Sequence, residues 1–231
     1  MPELTSQQRA EILRRMWEQL GRTIGEFPHL GRASFRSRVR LENATLLAAL
    51  KKEGRRLIFL AGHLSNWEVC PLAASLEGMP ITLTYRQTNN PYVNFLVEHT
   101  RQRYMAAGHR KGRGGMRHIV RALRKGDPVA MMVDQKENGG IPVPFFHAPA
   151  MTTPLPVQLA HKLDALLILV RARRTPEGHY QIDLLPLPLP SGMTESGVVP
   201  IVEHINRQFE EWIRERPEDW FWLHRRWPKE S

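Results

Sequence analysis

The sequence predicts an α/β fold, a mixed central sheet flanked by helices, and three observations lead there. Leu57-Ile-Phe-Leu-Ala61 is a short apolar run bounded by Arg56 and Gly62, the pattern of a strand buried on both faces. Similar short runs recur at Ile81–Tyr85, Val129–Val133 and Leu166–Arg171. Between them lie segments whose apolar residues repeat at helical spacing, and strands alternating with helices specify a layered α/β arrangement.

The elements follow in chain order. Residues 6–20 read as a helix, with Ile12, Leu13, Met16, Trp17 and Leu20 at helical spacing and Ser6 as its cap. A second helix covers 41–52 through Leu41, Ala44, Leu47, Ala48 and Leu50, and Gly54 ends it. After the strand at 57–61 a helix runs from Ser65 to Leu76. The strand Ile81–Tyr85 leads to a helix over Pro91–Ala107, opened by proline in its first turn. Gly112–Gly115 is a break, after which Met116, Ile119, Val120 and Leu123 mark an amphipathic helix with a basic outer face. The strand Val129–Val133 follows. Ile141–Phe146 contains prolines and reads as an edge or irregular strand. Leu155–Leu163 is a helix. Leu166–Arg171 and Tyr180–Leu185 are strands around a turn at Pro176–Gly178. Val198–Glu215 is a long helix with Ile201, Val202, Ile205, Phe209, Trp212 and Ile213 on one side. Leu185–Pro190 reads as a surface crossover. No repeat or low-complexity linker divides the chain, so a single domain over residues 1–231 is expected.

Composition narrows the class. The 231 residues are 42% hydrophobic and 24% charged, which rules out general disorder. One cysteine, Cys70, excludes an internal disulfide and any multi-cysteine metal or iron–sulfur site. The longest clean apolar run is Ala165–Val170, too short to span a bilayer. The first thirty residues lack a signal-peptide core. The formal net charge is +10, and nine basic residues with no acid lie between Arg101 and Lys125. Such a field attracts nucleic acid, an anionic membrane, an anionic substrate or an acidic carrier protein. Charge alone does not choose among them.

The most informative stretch is Gly62-His-Leu-Ser-Asn-Trp-Glu68, directly after the first buried strand. On a regular helix, five positions rotate side chains about 140° apart. His63 and Glu68 therefore meet only if His63 lies in the strand-to-helix turn and Glu68 opens the helix. Gly62 supplies the freedom for such a turn. The carboxylate would then hold one imidazole nitrogen and leave the other as a base. The competing reading is a capping box, Ser65-Asn-Trp-Glu68, in which Glu68 satisfies a backbone N–H. No His-Glu-x-x-His and no second thiol accompany it, so no metal site is expected.

The order of motifs adds to this. Thr84-Tyr-Arg-Gln-Thr-Asn-Asn-Pro91 comes next, then Val133-Asp-Gln135, Ile141-Pro-Val-Pro-Phe-Phe146, Thr152-Thr-Pro-Leu-Pro156 and Trp220-Phe-Trp-Leu-His-Arg-Arg-Trp227. The series resembles the late acyltransferases of lipid A biosynthesis, the lauroyl/myristoyl acyltransferase family. That family sits within the lysophospholipid acyltransferase superfamily, whose signature is His, four residues, then Asp or Glu. The resemblance covers roughly residues 35–228. It implies a glycerolipid-acyltransferase-like sheet flanked by helices, and an N-terminal membrane helix that this sequence lacks. His147 stands where a glycine commonly follows the two phenylalanines.

By the same resemblance, His63 is a general base and Glu68 its orienting partner. Backbone N–H groups after Gly62 would supply the oxyanion site. Arg86 and Arg103 look like anion-binding arginines, with Arg101 close enough to be confused with Arg103, and Asp134 joins them as a substrate-binding residue that binds or positions a basic or hydroxyl group. The implied donor is an acyl–acyl carrier protein, the acceptor a hydroxyl of a lipid A precursor, with no cofactor. The implied place is the cytoplasmic face of the bacterial inner membrane, against an anionic surface. Trp220, Trp222 and Trp227 either sit at the lipid interface or close the core, and Trp17 joins them as an interfacial candidate. Two alternatives stand beside this. One is acylation of another glycolipid, such as a phosphatidylinositol mannoside, from acyl-CoA. The other is nucleic-acid binding, against which no RNA-binding motif or zinc finger is found and no aromatics interleave with the basic run.

Overall fold

A computed structural model of the chain describes residues 3–85, 89–110, 112–146 and 148–227. Its elements run α1 (Ser6–Glu26), α2 (Ala33–Arg36), β1 (Val39–Leu41), α3 (Ala44–Lys52), β2 (Arg56–Ala61), α4 (Val69–Leu76), β3 (Thr82–Tyr85), α5 (Pro91–Arg101) and β4 (Ala107–Arg110). Then follow α6 (Arg113–Lys125), β5 (Val129–Met132), a hairpin of β6 (Ile141–Phe145) and β7 (Ala148–Thr152), α7 (Leu155–Leu163), β8 (Ala165–Arg174), β9 (Tyr180–Leu187) and α8 (Val198–Glu215).

Seven strands form one sheet in the order β1-β9-β8-β2-β5-β3-β4. All pairs are parallel except β8–β9, which makes the sheet mixed as expected. The two most apolar strands, β2 and β8, lie side by side in the middle, where both faces are covered. Alternation along β2 sends Ile58 and Leu60 to one face, against Leu123 of α6, Val157 of α7 and Phe209 of α8. It sends Leu57, Phe59 and Ala61 to the other, with Leu47 of α3 and Leu72 of α4.

Several bounds differ from the sequence reading. The cap of α1 is Thr5, not Ser6: its hydroxyl accepts from Gln8 N while Gln8 Oε1 accepts from Thr5 N, and the helix runs on to Glu26. The helix expected over 91–107 stops at Arg101, because Tyr104 and Met105 turn into the core and the chain becomes β4. Strands β1, β4 and β7, three to five residues each, have no counterpart among the strands read from the sequence. The helix expected from Ser65 begins at Val69, since Ser65 has φ +52° and belongs to the turn before it. No helix among the described residues is long and apolar enough to cross a membrane.

Candidate active site

Pairing of β2 with β5 sets Ala61 opposite Met132, so the residues that leave the two strands, His63 and Asp134, stand together at their carboxyl ends. The chain leaves β2 toward α4 on one face and leaves β5 toward α7 on the other. This is a topological switch point, where open α/β sheets place their crevice. His63 Nδ1 lies 2.9 Å from Asp134 Oδ1, and the backbone N–H of His63 donates to Oδ2 at 2.7 Å. Trp220 Nε1 donates to the same Oδ2 at 3.0 Å. Burial acts to raise the Asp134 carboxyl, but the charge and N–H groups of His63 outweigh it and bring it down to about 2. Gly62 is required for this approach: a Cβ there would meet Phe209 Cε1 at 2.5 Å and Asp134 Cγ at 3.3 Å.

The turn that carries His63 is clamped from both ends of the chain. Ser65 N–H donates to Asp219 O at 2.7 Å, Phe221 N–H donates to His63 O at 3.0 Å, and Leu64 forms a bridge with Trp220. From the other side, Asn66 Nδ2 donates to Glu26 of α1 at 3.0 Å, and that carboxylate also takes Tyr180 and Arg174. The N–H groups of His63, Leu64 and Ser65 are all spent within the protein, so the expected oxyanion donors are not among these three.

Glu68 does not reach the imidazole, which corrects the expected partnership. The turn aims His63 at β5, whereas Glu68 sits at the start of α4 and faces α5. Its carboxylate is held by Arg101, through Nε at 3.1 Å and through Nη2, and by Tyr104 Oη at 3.2 Å. Nor does it close a capping box: α4 has no side-chain cap bond, and Ser65 Oγ is buried without a partner. Burial lowers the Arg101 guanidinium, but the charge and hydrogen bonding of Glu68 together outweigh it, and its pKa lies above the ordinary value. Burial, then the same carboxylate, pushes Tyr104 well up.

A cavity of about 400 Å³ connects these groups. His63, Trp67, Glu68 and Arg101 line one part of it. Its apolar part reaches between α4 and the sheet, past Phe59, Ala74, Ile81 and Val170, to Leu47 and Leu184. The arrangement is an imidazole at the side of a largely apolar chamber. Among the described residues, His63 Nε2 makes no hydrogen bond.

The imidazole is packed between aromatic rings. Trp67 lies 5.0 Å away and His224 4.5 Å away, both edge-on. Burial, then the neighbouring His63, brings His224 down to about 4, so it is neutral in neutral solution. Among the described residues, His63, Asp134 and His224 are the group able to approach a cation, their donor atoms lying within 4.8 Å of one another. Both Asp134 oxygens are already bonded to His63 and Trp220.

The remaining expectations divide. Arg86 lies outside the described residues, as does His147. Arg103 is exposed and contacts His99 at 3.0 Å; Arg101, two residues before it, lines the cavity. Asp134, expected against substrate, is fully buried against His63. The C-terminal tryptophans belong to the core: Trp220 is fully buried, and Trp222 and Trp227 donate to Pro217 O and Phe145 O. Arg226 beside them is buried and donates to Met151 O at 2.8 Å and Thr152 Oγ1 at 2.5 Å. Trp17 is 55% exposed. Sequence reasoning missed the parts played by Trp220 and His224. Their signal was present in the C-terminal motif, but no local spacing ties that motif to residue 63.

Residues 1–229 match the family model described as bacterial lipid A biosynthesis acyltransferase. The chain is similar, at 24% identity, to the lipid A biosynthesis acyltransferase of Haemophilus influenzae, an alignment covering 96% of this chain and 70% of that protein. It is 26% identical to the lipid A biosynthesis palmitoleoyltransferase of Escherichia coli and 28% identical to the lauroyltransferase of the same organism. Each of these alignments covers 97% of this chain and 74% of the relative.

Proposed function

This chain belongs to the bacterial lipid A biosynthesis acyltransferase family, and we propose that it moves a fatty acyl group from an acyl–acyl carrier protein thioester to a hydroxyl of a lipid A precursor. The observation that carries the mechanism is the His63–Asp134 pair beside an apolar cavity. Asp134 keeps the proton on Nδ1 and so leaves Nε2 as the base. As the acceptor oxygen attacks the thioester carbonyl, Nε2 takes its proton. The tetrahedral intermediate then breaks its C–S bond, and the imidazolium returns the proton to the leaving thiolate. Asp134 offsets the imidazolium charge while it exists. The acyl chain lies in the apolar part of the cavity. Glu68 holds Arg101 at the cavity wall, and the two charges cancel there.

The donor reading is supported by α6. Its Arg117, Arg121, Arg124 and Lys125 are exposed and basic, suited to an acidic carrier. Arg101 is not part of that field, being spent on Glu68. On this reading the reaction takes place at the cytoplasmic face of the inner membrane. The test is mass spectrometry of lipid products after incubation with acyl–carrier protein or acyl-CoA, and with a lipid A precursor or a phosphatidylinositol mannoside. Acylated lipid A precursor from the carrier-bound donor is expected. Product only from acyl-CoA and the mannoside would overturn both assignments.

A further inference from the structure

Of the ten large apolar side chains exposed among the described residues, four lie together on α5: Tyr92 (84% exposed), Val93, Phe95 (71%) and Leu96. At about 100° per residue, Tyr92, Phe95, Leu96 and His99 share one arc of the helix. Asn94, Val97, Glu98 and Arg101 share the opposite arc. The inner arc is accounted for: Val97 and Arg101 line the cavity, and Glu98 accepts from Tyr85 Oη at 3.1 Å and Asn94 Nδ2 at 2.9 Å. α5 is thus a single-helix wall, apolar outside and bordering an apolar chamber within. Its inner arc is held by polar contacts, whereas the apolar outer arc is left exposed among the described residues, and a patch of this kind marks an interaction surface.

The charge around the patch selects its occupant. Glu98 is the one acid of α5 and is turned inward. The exposed stripe runs from Tyr92 and Phe95 to His99, whose ring stacks on Phe95 at 5.9 Å, and then to exposed Arg103. Apolar and aromatic side chains backed by the Arg103 guanidinium, with no acid of α5 facing outward, form the composition of an interfacial helix on an anionic lipid surface. We propose that α5 is a membrane-contacting wall of the site, its outer face bedded at the headgroup–acyl boundary of a bilayer rich in anionic phospholipid. The proposal rests on reading the cavity as an acyl site, since a wall in the bilayer lets a hydrocarbon chain reach the cavity without crossing water.

The experiment uses the chain's single cysteine to advantage. Cys70 is buried, and burial pushes its thiol up to about 12, so it resists labelling in the folded protein. Phe95→Cys, carrying an environment-sensitive fluorophore, should shift to the blue with phosphatidylglycerol vesicles and much less with phosphatidylcholine. The triple variant Tyr92→Ser, Phe95→Ser, Leu96→Ser should lose about tenfold or more in sedimentation with phosphatidylglycerol vesicles. Its melting temperature should not change, since all three side chains are exposed. An unshifted label on a folded protein, or undiminished sedimentation of the triple variant, overturns the proposal. So does a concentration-dependent dimer of the parent that the triple variant loses, because a second copy would then cover the patch. Thioester consumption with detergent-dispersed acceptor is measured in parallel. Turnover with an unshifted label overturns the membrane wall alone. A shifted label without turnover supports the wall and overturns the acyltransfer reading.

Discussion

Replacing Asp134 by Asn removes one charge from a fully buried site and leaves its shape nearly unchanged. Two N–H donors, the His63 backbone and the Trp220 indole, converge on Oδ2. The amide oxygen must take that place, which leaves the amide NH₂ against His63 Nδ1. Nδ1 then has to accept a hydrogen bond, so the proton moves to Nε2, and the nitrogen facing the cavity ceases to be a base. A general base contributes about 10²–10⁴ in rate, which is about 2.7–5.4 kcal/mol of barrier, and a loss of that size is expected in kcat. Stability should fall as well. Lowering the Asp134 carboxyl from 3.8 to about 2 corresponds to about 2 kcal/mol of native-state stabilisation. That contribution is present above the unfolded carboxyl value and is lost as the pH falls through about 2, so at neutral pH the Asn variant lacks all of it. The assay is thioester consumption at saturating acceptor, with thermal melts alongside. A folded Asp134→Asn protein turning over within about threefold of the parent would refute the assignment of His63 as a base oriented by Asp134.

Glu68→Gln leaves the Arg101 guanidinium buried without a counter-charge and should cost about 3–5 kcal/mol in denaturant unfolding; adding Arg101→Met should recover much of that loss, and an additive double variant would contradict the pairing. His224, held down at about 4 by burial, costs the fold nothing above about pH 6.5, and as the pH falls toward 4 the unfolded chain takes up a proton there that the folded one does not, so stability drops. Discounted for its part-exposed ring, that is about 1–2 kcal/mol, and melts from pH 7 to 4.5 should show a shallower acid slope for His224→Phe than for the parent. Gly62→Ala drives a methyl into Phe209 at 2.5 Å and should cost about 1–3 kcal/mol; Phe209→Leu in that background should restore part of it, and a Gly62→Ala protein as stable as the parent would mean that the turn has other ways to relax.

The parts of the fold legible in the sequence were those with a local period. β2 and β8 announce themselves as apolar runs, and α6 and α8 as amphipathic repeats. Strands β1, β4 and β7 were illegible because three to five residues at an edge or in a hairpin need neither alternation nor a long apolar run. The site was legible one member at a time. His63 stood out in its glycine turn and Asp134 at a strand end, but 71 positions separate them, and only the β2–β5 pairing brings them together. Glu68 was the nearer carboxylate, and nearness in sequence suggested the wrong partner for the imidazole. Arg101 is the last residue of α5 and turns to Glu68, whereas Arg103 lies beyond the helix end and is exposed. A helix read through to residue 107 puts the two about 200° apart, but no local pattern says which side faces the cavity.

The clamp on the His63 turn has a consequence for synthesis. Residues 219–221 hold the turn at Leu64–Ser65 and the base at His63, and Trp220 supplies one of the three bonds to Asp134. A ribosome releases a chain amino end first, so β2, β5 and most of the sheet emerge while the segment that secures the base is still inside the exit tunnel. A nascent chain therefore carries a nearly finished scaffold while the His63 turn is still unsecured. The closing contacts join residues more than 150 positions apart, the kind that form late. The His63 turn is therefore completed only once residues 219–221 have left the tunnel.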